Sequence, residues 1–196
     1  MLQEICQAGE LVLRRQAREL TPEEIISAPV KELIASMFET MRAAPGVGLA
    51  APQIGIPMQI AVIEDPQEFI DKLPAEHAAA RLRTGVAPHV VINPRITIED
   101  PEMVEFFEGC LSLSGFTAIV PRALAVRVDC LNERAEPTVI HARGWYARIL
   151  QHEIDDLHGT LYIDRMLSRS FMGRENFERL WKDVPVAEFR KLVGDV

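Results

Sequence analysis

The chain has 196 residues, with 21 Lys and Arg against 29 Asp and Glu, and its formal charge of -8 argues against a nucleic-acid backbone as a general partner. At 48% hydrophobic and 26% charged it has the balance of a soluble globular protein, long enough for one domain (1–196) with a sizeable core. Its apolar runs fall far short of a membrane span, Met1–Ile5 and Glu10 do not read as a leader, and Cys6, Cys110 and Cys130 are too few for a disulfide framework. A cytoplasmic setting with no membrane partner is the expectation.

Residues 1–20 read as an irregular arm anchored by Leu11, Val12 and Leu13. Thr21-Pro22-Glu23-Glu24 signals a helix start, with Thr as cap, Pro in the first turn and a Glu placed to close a capping box. From Pro29 the positions Val30, Leu33, Ile34, Met37, Phe38 and Met41 recur at helical spacing until Pro45. Core packing explains this stripe.

The next stretch, Gly46-Val47-Gly48-Leu49-Ala50-Ala51-Pro52-Gln53-Ile54-Gly55, follows a helix rather than a strand and lacks the Lys of a phosphate loop, which excludes nucleotide binding there. Small residues at this density let another backbone approach closely. Gln53 is either a structural hydrogen bonder or a donor directed at a reacting carbonyl.

Met58–Ile63 is a strand candidate, and 66–88 reads as a helical or mobile insertion. Val90–Ile98 and Met103–Phe107 read as strands around a turn at Glu99-Asp100-Pro101, and Leu124–Leu131 with Thr138–Ala142 as a hairpin about Asn132-Glu133-Arg134. Glu175–Trp181 and Val186–Val193 suit short helices. Strands in series beside two separated long helices imply an α+β fold, mainly antiparallel sheet around a central helix.

Two further stretches carry chemistry. Cys110, in Glu108-Gly109-Cys110-Leu111-Ser112 at a strand end, is either a small buried hydrophobe or a thiolate available to a metal. In the run from Trp145 to Gly159, Ile149, His152, Glu153 and Asp156 share a helix face at spacings of three and four. Ligands at i and i+4 reach one ion, and a Glu beside the first handles protons. Alone, such a pair also suits a salt-bridged surface.

Together these stretches resemble the peptide deformylases, metalloenzymes that remove the N-formyl group from new polypeptides. The family's Gly-x-Gly-Leu-Ala-Ala-x-Gln, Glu-Gly-Cys-Leu-Ser and Gln-His-Glu-x-Asp-x-Leu-x-Gly patterns are met, in order, by Gly46 to Gln53, Glu108 to Ser112 and Gln151 to Gly159. The resemblance runs to about Met166 and lies closer to the organelle-like branch and its bacterial relatives. It implies Cys110 and His152 as metal ligands, Glu153 as general base and then acid, and Gln53 with the backbone N–H of Leu111 as the oxyanion holders. The ion it implies is one divalent metal, Fe(II) natively, with Zn, Ni or Co accepted. The formylated N-terminus of a nascent chain would pair as an added strand near Val47, Gly48 and Gly109, its Met side chain against Phe106, Trp145 and Ile149. A nascent substrate makes the ribosome a further partner.

Two departures stand out: Thr117 where many bacterial members carry Arg, and Asp156 in place of the second helical His. A carboxylate is a legitimate ligand, so Cys110, His152 and Asp156 form the expected set, but Asp is shorter than His by roughly 2 Å, which calls for a shifted helix or a bridging water. Its charge also leaves the ion less positive, so weaker metal retention and slower turnover are expected. A catalytically impaired peptide-binding relative is the alternative.

Overall fold

The computed structural model describes residues 2–194. The N-terminal arm is held at Leu13, 1% exposed, whereas Leu11 is exposed and anchors nothing. Helix α1 (Pro22–Ile25) starts on the expected capping box: Glu24 N donates to Thr21 Oγ1 at 3.3 Å and Thr21 N to Glu24 Oε2 at 2.8 Å. Helix α2 (Ala28–Ala43) buries Val30, Ile34, Met37 and Met41 against Leu49, Ile60 and Val62 of the first two strands.

Strands β1 (Gly48–Ala50) and β2 (Ile60–Asp65) follow, then two short helices, α3 (Gln67–Ile70) and α4 (Ala75–Ala80). The insertion is thus helical, and Arg83 pins it back by donating to both oxygens of the buried Asp65, each at 2.8 Å. Strand β3 (Val86–Glu108) pairs with β4 (Phe116–Leu131), and β4 pairs with β5 (Pro137–Arg143). The main path β1-β2-β3-β4-β5 is antiparallel in chain order, which leaves β1 at an edge.

β3 corrects the sequence expectation. No turn forms at Glu99-Asp100-Pro101; the ladder runs through with register shifts between Ile98 and Asp100 and between Asp100 and Met103. A bulge accommodates the missing N–H of Pro101 without ending the strand. β4 likewise begins at Phe116 rather than Leu124, with Pro121 opposite Glu105.

Helix α5 (Trp145–Leu157) enters from Gly144, at φ 65°, and buries Ala147, Ile149, Leu150 and Ile154 against Ile63, Val91, Val126 and Val128 of the sheet. Beyond it, β6 (Met172–Gly173) pairs with the start of β4, and α6 (Arg174–Leu180) and α7 (Val186–Val193) close on β3. Phe107 packs on Phe177 and Phe189 at ring-centroid distances of 4.7 and 5.4 Å, and Arg190 donates to Glu105 at 2.8 Å.

Leu150, fully buried beneath α5, should lose about 2–5 kcal/mol of stability on Leu150→Ala, read from urea unfolding. A change below about 0.5 kcal/mol would mean that α5 is not seated on this core.

Candidate metal centre

The register of α5 turns His152, Glu153 and Asp156 inward, at 8%, 5% and 2% exposure. Cys110 arrives from the end of β3. Its Sγ lies 3.7 Å from Asp156 Oδ2, His152 Nε2 lies 3.9 Å from the same oxygen, and one donor atom from each of the three falls within 4.8 Å of the others. Bonds of about 2.0–2.3 Å to one tetrahedral ion place its donors roughly 3.3–3.8 Å apart. At 3.7 and 3.9 Å the two spacings about Asp156 Oδ2 lie close to that range, so the three residues could hold one ion: cysteine and imidazole both converge on its carboxylate. The other oxygen, Asp156 Oδ1, is buried with no hydrogen-bond partner.

His152 is held from behind. Its Nδ1–H donates to Glu108 Oε2 at 2.9 Å, which turns Nε2 toward Cys110 and Asp156. Glu108 in turn accepts from Arg122 Nε and Nη2, both at 3.0 Å, and from Arg148 Nη1 at 2.5 Å. Burial opposes the charge on Glu108, but the Arg122 charge and the His152 hydrogen bond hold its carboxyl well below the usual range. Arg122 also bonds to Asp155, which Arg165 holds from outside. The sequence reading placed Glu108 and Asp155 in motifs without a role for either, and missed Arg122 and Arg148.

Burial is the first influence on the other ionisable groups. It pushes Glu153 up to about 8 and Asp156 up to about 6, and with the Asp156 charge it pushes the Cys110 thiol up to about 11. It acts downward on His152, where the Asp156 charge and the bonds to Cys110 and Glu108 prevail and raise the imidazole well above its ordinary value. A divalent cation would reverse this balance, favouring thiolate and neutral imidazole.

Glu153 faces β1 at a point where only glycine fits: a Cβ on Gly48 would lie 2.2 Å from Glu153 Oε1. Glu153 Oε2 is buried with no hydrogen-bond partner. Gln53 Oε1 accepts from Ala50 N at 2.7 Å, which aims Nε2 at Cys110 Sγ, 3.2 Å away. The structural reading of Gln53 holds at its oxygen, while its nitrogen sits on the Cys110 sulfur at the cleft wall. Gln7, unremarked in the sequence, donates to the carbonyl of Leu111 at 3.0 Å.

A cleft of about 630 Å³ runs over these groups. Its lining includes Val47, Gly48, Gln53, Gly109, Cys110, Leu111, Trp145, Ile149, His152 and Glu153, with Asp156 beneath the floor. Phe106 is not among its walls; Phe107 takes that place, because the strand pleat sends neighbours to opposite faces and Phe106 packs edge-on to Trp145. The Val47 carbonyl is taken by Glu64 N at 3.1 Å, so alternation along β1 leaves Gly48 with the outward-facing backbone groups. Thr117 is buried and donates to the Glu108 carbonyl at 2.7 Å, a structural tie between β3 and β4.

The family model described as polypeptide deformylase matches residues 2–171. The chain belongs to the polypeptide deformylase family. Peptide deformylase 1A, chloroplastic, of Solanum lycopersicum is 44% identical over 184 residues, 94% of this chain and 65% of that protein. The mitochondrial peptide deformylase of Homo sapiens is 38% identical over 167 residues, 85% of this chain and 69% of its own. The chain thus spans about two thirds of the length of these relatives. Among solved structures, the Thermotoga maritima peptide deformylase superposes with a TM-score of 0.71 at 34% identity, covering 85% of this chain and 98% of that one. The Met-Ala-Ser-bound class I type b peptide deformylase of Acinetobacter baumannii gives 0.75 at 29% identity, covering 85% and 99%. The deformylase match includes all three motifs and stops before β6, α6 and α7.

Glu108→Gln should lower zinc affinity about 10–100-fold in competition with a chromogenic chelator, because it weakens the bond that orients His152. Unchanged affinity would reduce Glu108 to a packing role.

Proposed function

We propose that the chain is a metal-dependent peptide deformylase that hydrolyses the N-terminal formyl group of formyl-methionyl polypeptides and releases formate. The observation that carries this reading is the convergence of Cys110, His152 and Asp156 under a cleft that also presents Glu153 and Gln53. Cys110, His152 and Asp156 would hold one divalent ion, Fe(II) natively or Zn, Ni or Co. When bound, the ion supplies Lewis-acid polarisation and makes water a stronger acid.

The remaining work falls to the chain. Glu153, buried beside the three ligands and lining the cleft, is placed to take a proton from water and return it to the departing amine. Gln53 Nε2 and the Leu111 N–H supply donors for negative charge growing on the formyl oxygen. Gly48 at the β1 edge and Gly109 across the cleft pair with the substrate backbone as an added strand. Trp145, Ile149 and Phe107 receive the Met side chain. Support for a peptide in this groove comes from the Acinetobacter baumannii neighbour, described with Met-Ala-Ser bound.

The residues from 1 to 196 are read as one catalytic domain, acting on nascent chains at the ribosome. Among the described residues no helix is long and apolar enough to cross a membrane, and Cys6, Cys110 and Cys130 are free. The matched relatives include chloroplastic and mitochondrial proteins, so a cytoplasmic location is part of the proposal and rests on the free thiols.

Asp156 bears on the rate. It adds a negative charge that an imidazole would not, and so weakens the polarisation available at the site. Protein purified without oxygen should contain near-stoichiometric metal and release formate from formyl-Met-Ala-Ser. Asp156→His should slow the loss of that metal to a chelator and raise formate release by about an order of magnitude. Bound metal without formate would overturn the enzyme reading in favour of a peptide-binding relative, the alternative that Asp156 itself suggests.

Gly48→Ala should lower formate release about 100-fold with the fold intact by circular dichroism, since it displaces Glu153 by a distance on the order of 1 Å. An undiminished rate would remove Glu153 from its proposed part.

A further inference from the structure

A second cleft, of about 370 Å³, shares only the Phe107 wall with the first. Sites for small molecules begin at about this size. Its walls are half-buried rings: Phe106 and Phe107 from β3, Phe177 from α6 and Trp181 just after it. Phe177 and Trp181 lie beyond residues 2–171 of the family-model match but within the 95% of the chain that aligns with the Arabidopsis thaliana relative.

Arg81, at the end of α4, also lines it. Its guanidinium lies 4.9 Å from the Trp145 ring centroid and 5.7 Å from that of Phe106. Among the described residues Arg81 has no carboxylate partner, although its neighbour Arg83 is bound to Asp65. Burial and the repulsion of Arg83 both act against its charge. A half-buried cation set against ring faces without a counterion favours an anion that brings apolar bulk with it. At the rim, Lys182 and His77 stand beside Glu76 and Asp183, so the mouth carries little net charge and selection for an anion falls to Arg81.

We propose that this cleft binds a small aromatic carboxylate, its carboxylate on the Arg81 guanidinium and its ring among Phe106, Phe107, Phe177 and Trp181. Guanidinium and carboxylate match as a two-point pair, and the rings supply the apolar contact.

Titration of the full metal-loaded chain with phenylpropionate and with phenylpropionamide, followed by tryptophan fluorescence, tests this on the unaltered protein. The acid should bind at least about ten-fold more tightly than the amide, because a charge-assisted bond replaces a neutral one. Arg81→Gln should erase that difference and Arg81→Lys should keep part of it. Equal affinity for acid and amide would make the cleft a neutral apolar pocket and overturn the assignment. So would acid binding that survives Arg81→Gln and is displaced by formyl-Met-Ala-Ser, which would place the acid in the metal cleft. A dimer that excludes both probes would overturn it in favour of a contact between copies. None of these readouts depends on formate release, so the outcome is separate from that of the deformylase reading.

Discussion

The site depends on one buried carboxylate. Glu108 ends β3, yet its two oxygens hold Arg122 of β4, Arg148 of α5 and the imidazole of His152. Three elements that share no local sequence signal are thereby fixed to one point. Arg148 extends the clamp by donating to the carbonyls of Val120 at 2.8 Å and Val104 at 2.6 Å, so the helix is bound to both strands of the ladder. Removing one partner from such a cluster leaves an uncompensated buried charge, a loss of about 3–5 kcal/mol, so its geometry is not freely adjustable. The orientation of His152 follows from that rigidity.

A second constraint acts on α5 from β1. Gly48 brings the β1 backbone against Glu153, and Ala50 N holds the Gln53 amide so that its donor end faces Cys110. The small residues from Gly46 to Ala51 therefore serve two ends: they leave an unpaired strand edge toward the cleft, and they admit the Glu153 side chain close to it.

What the sequence made legible was periodic or local. The stripe of α2, the capping box at Thr21, the hairpin at Asn132 and the inward face of α5 each depend on neighbours a few residues apart. What it hid was long-range or aperiodic. Pro101 looked like a strand end because the bulge that tolerates it exists only in the paired ladder. Each register shift changes which face a residue takes, and no local pattern marks Phe107 rather than Phe106 as the ring that lines the cleft. The clamp on Glu108 joins residues 14 and 40 positions apart, and no local pattern announces it.

Among the described residues, the four buried carboxylates divide in a way that bears on the departure at Asp156. Asp65 is neutralised by Arg83, and Glu108 by Arg122 and Arg148. Asp155, one residue before Asp156, faces outward to Arg122 and Arg165. Glu153 and Asp156 alone among the buried four have no guanidinium, and each keeps one oxygen without a hydrogen-bond partner. A charge left so in a low-dielectric interior costs several kcal/mol, so it calls for a proton or a cation. Glu153, against the Gly48 backbone, has room for a proton. Asp156 has Cys110 and His152 converging on its oxygen, which gives a divalent cation the neutral and anionic donors it needs.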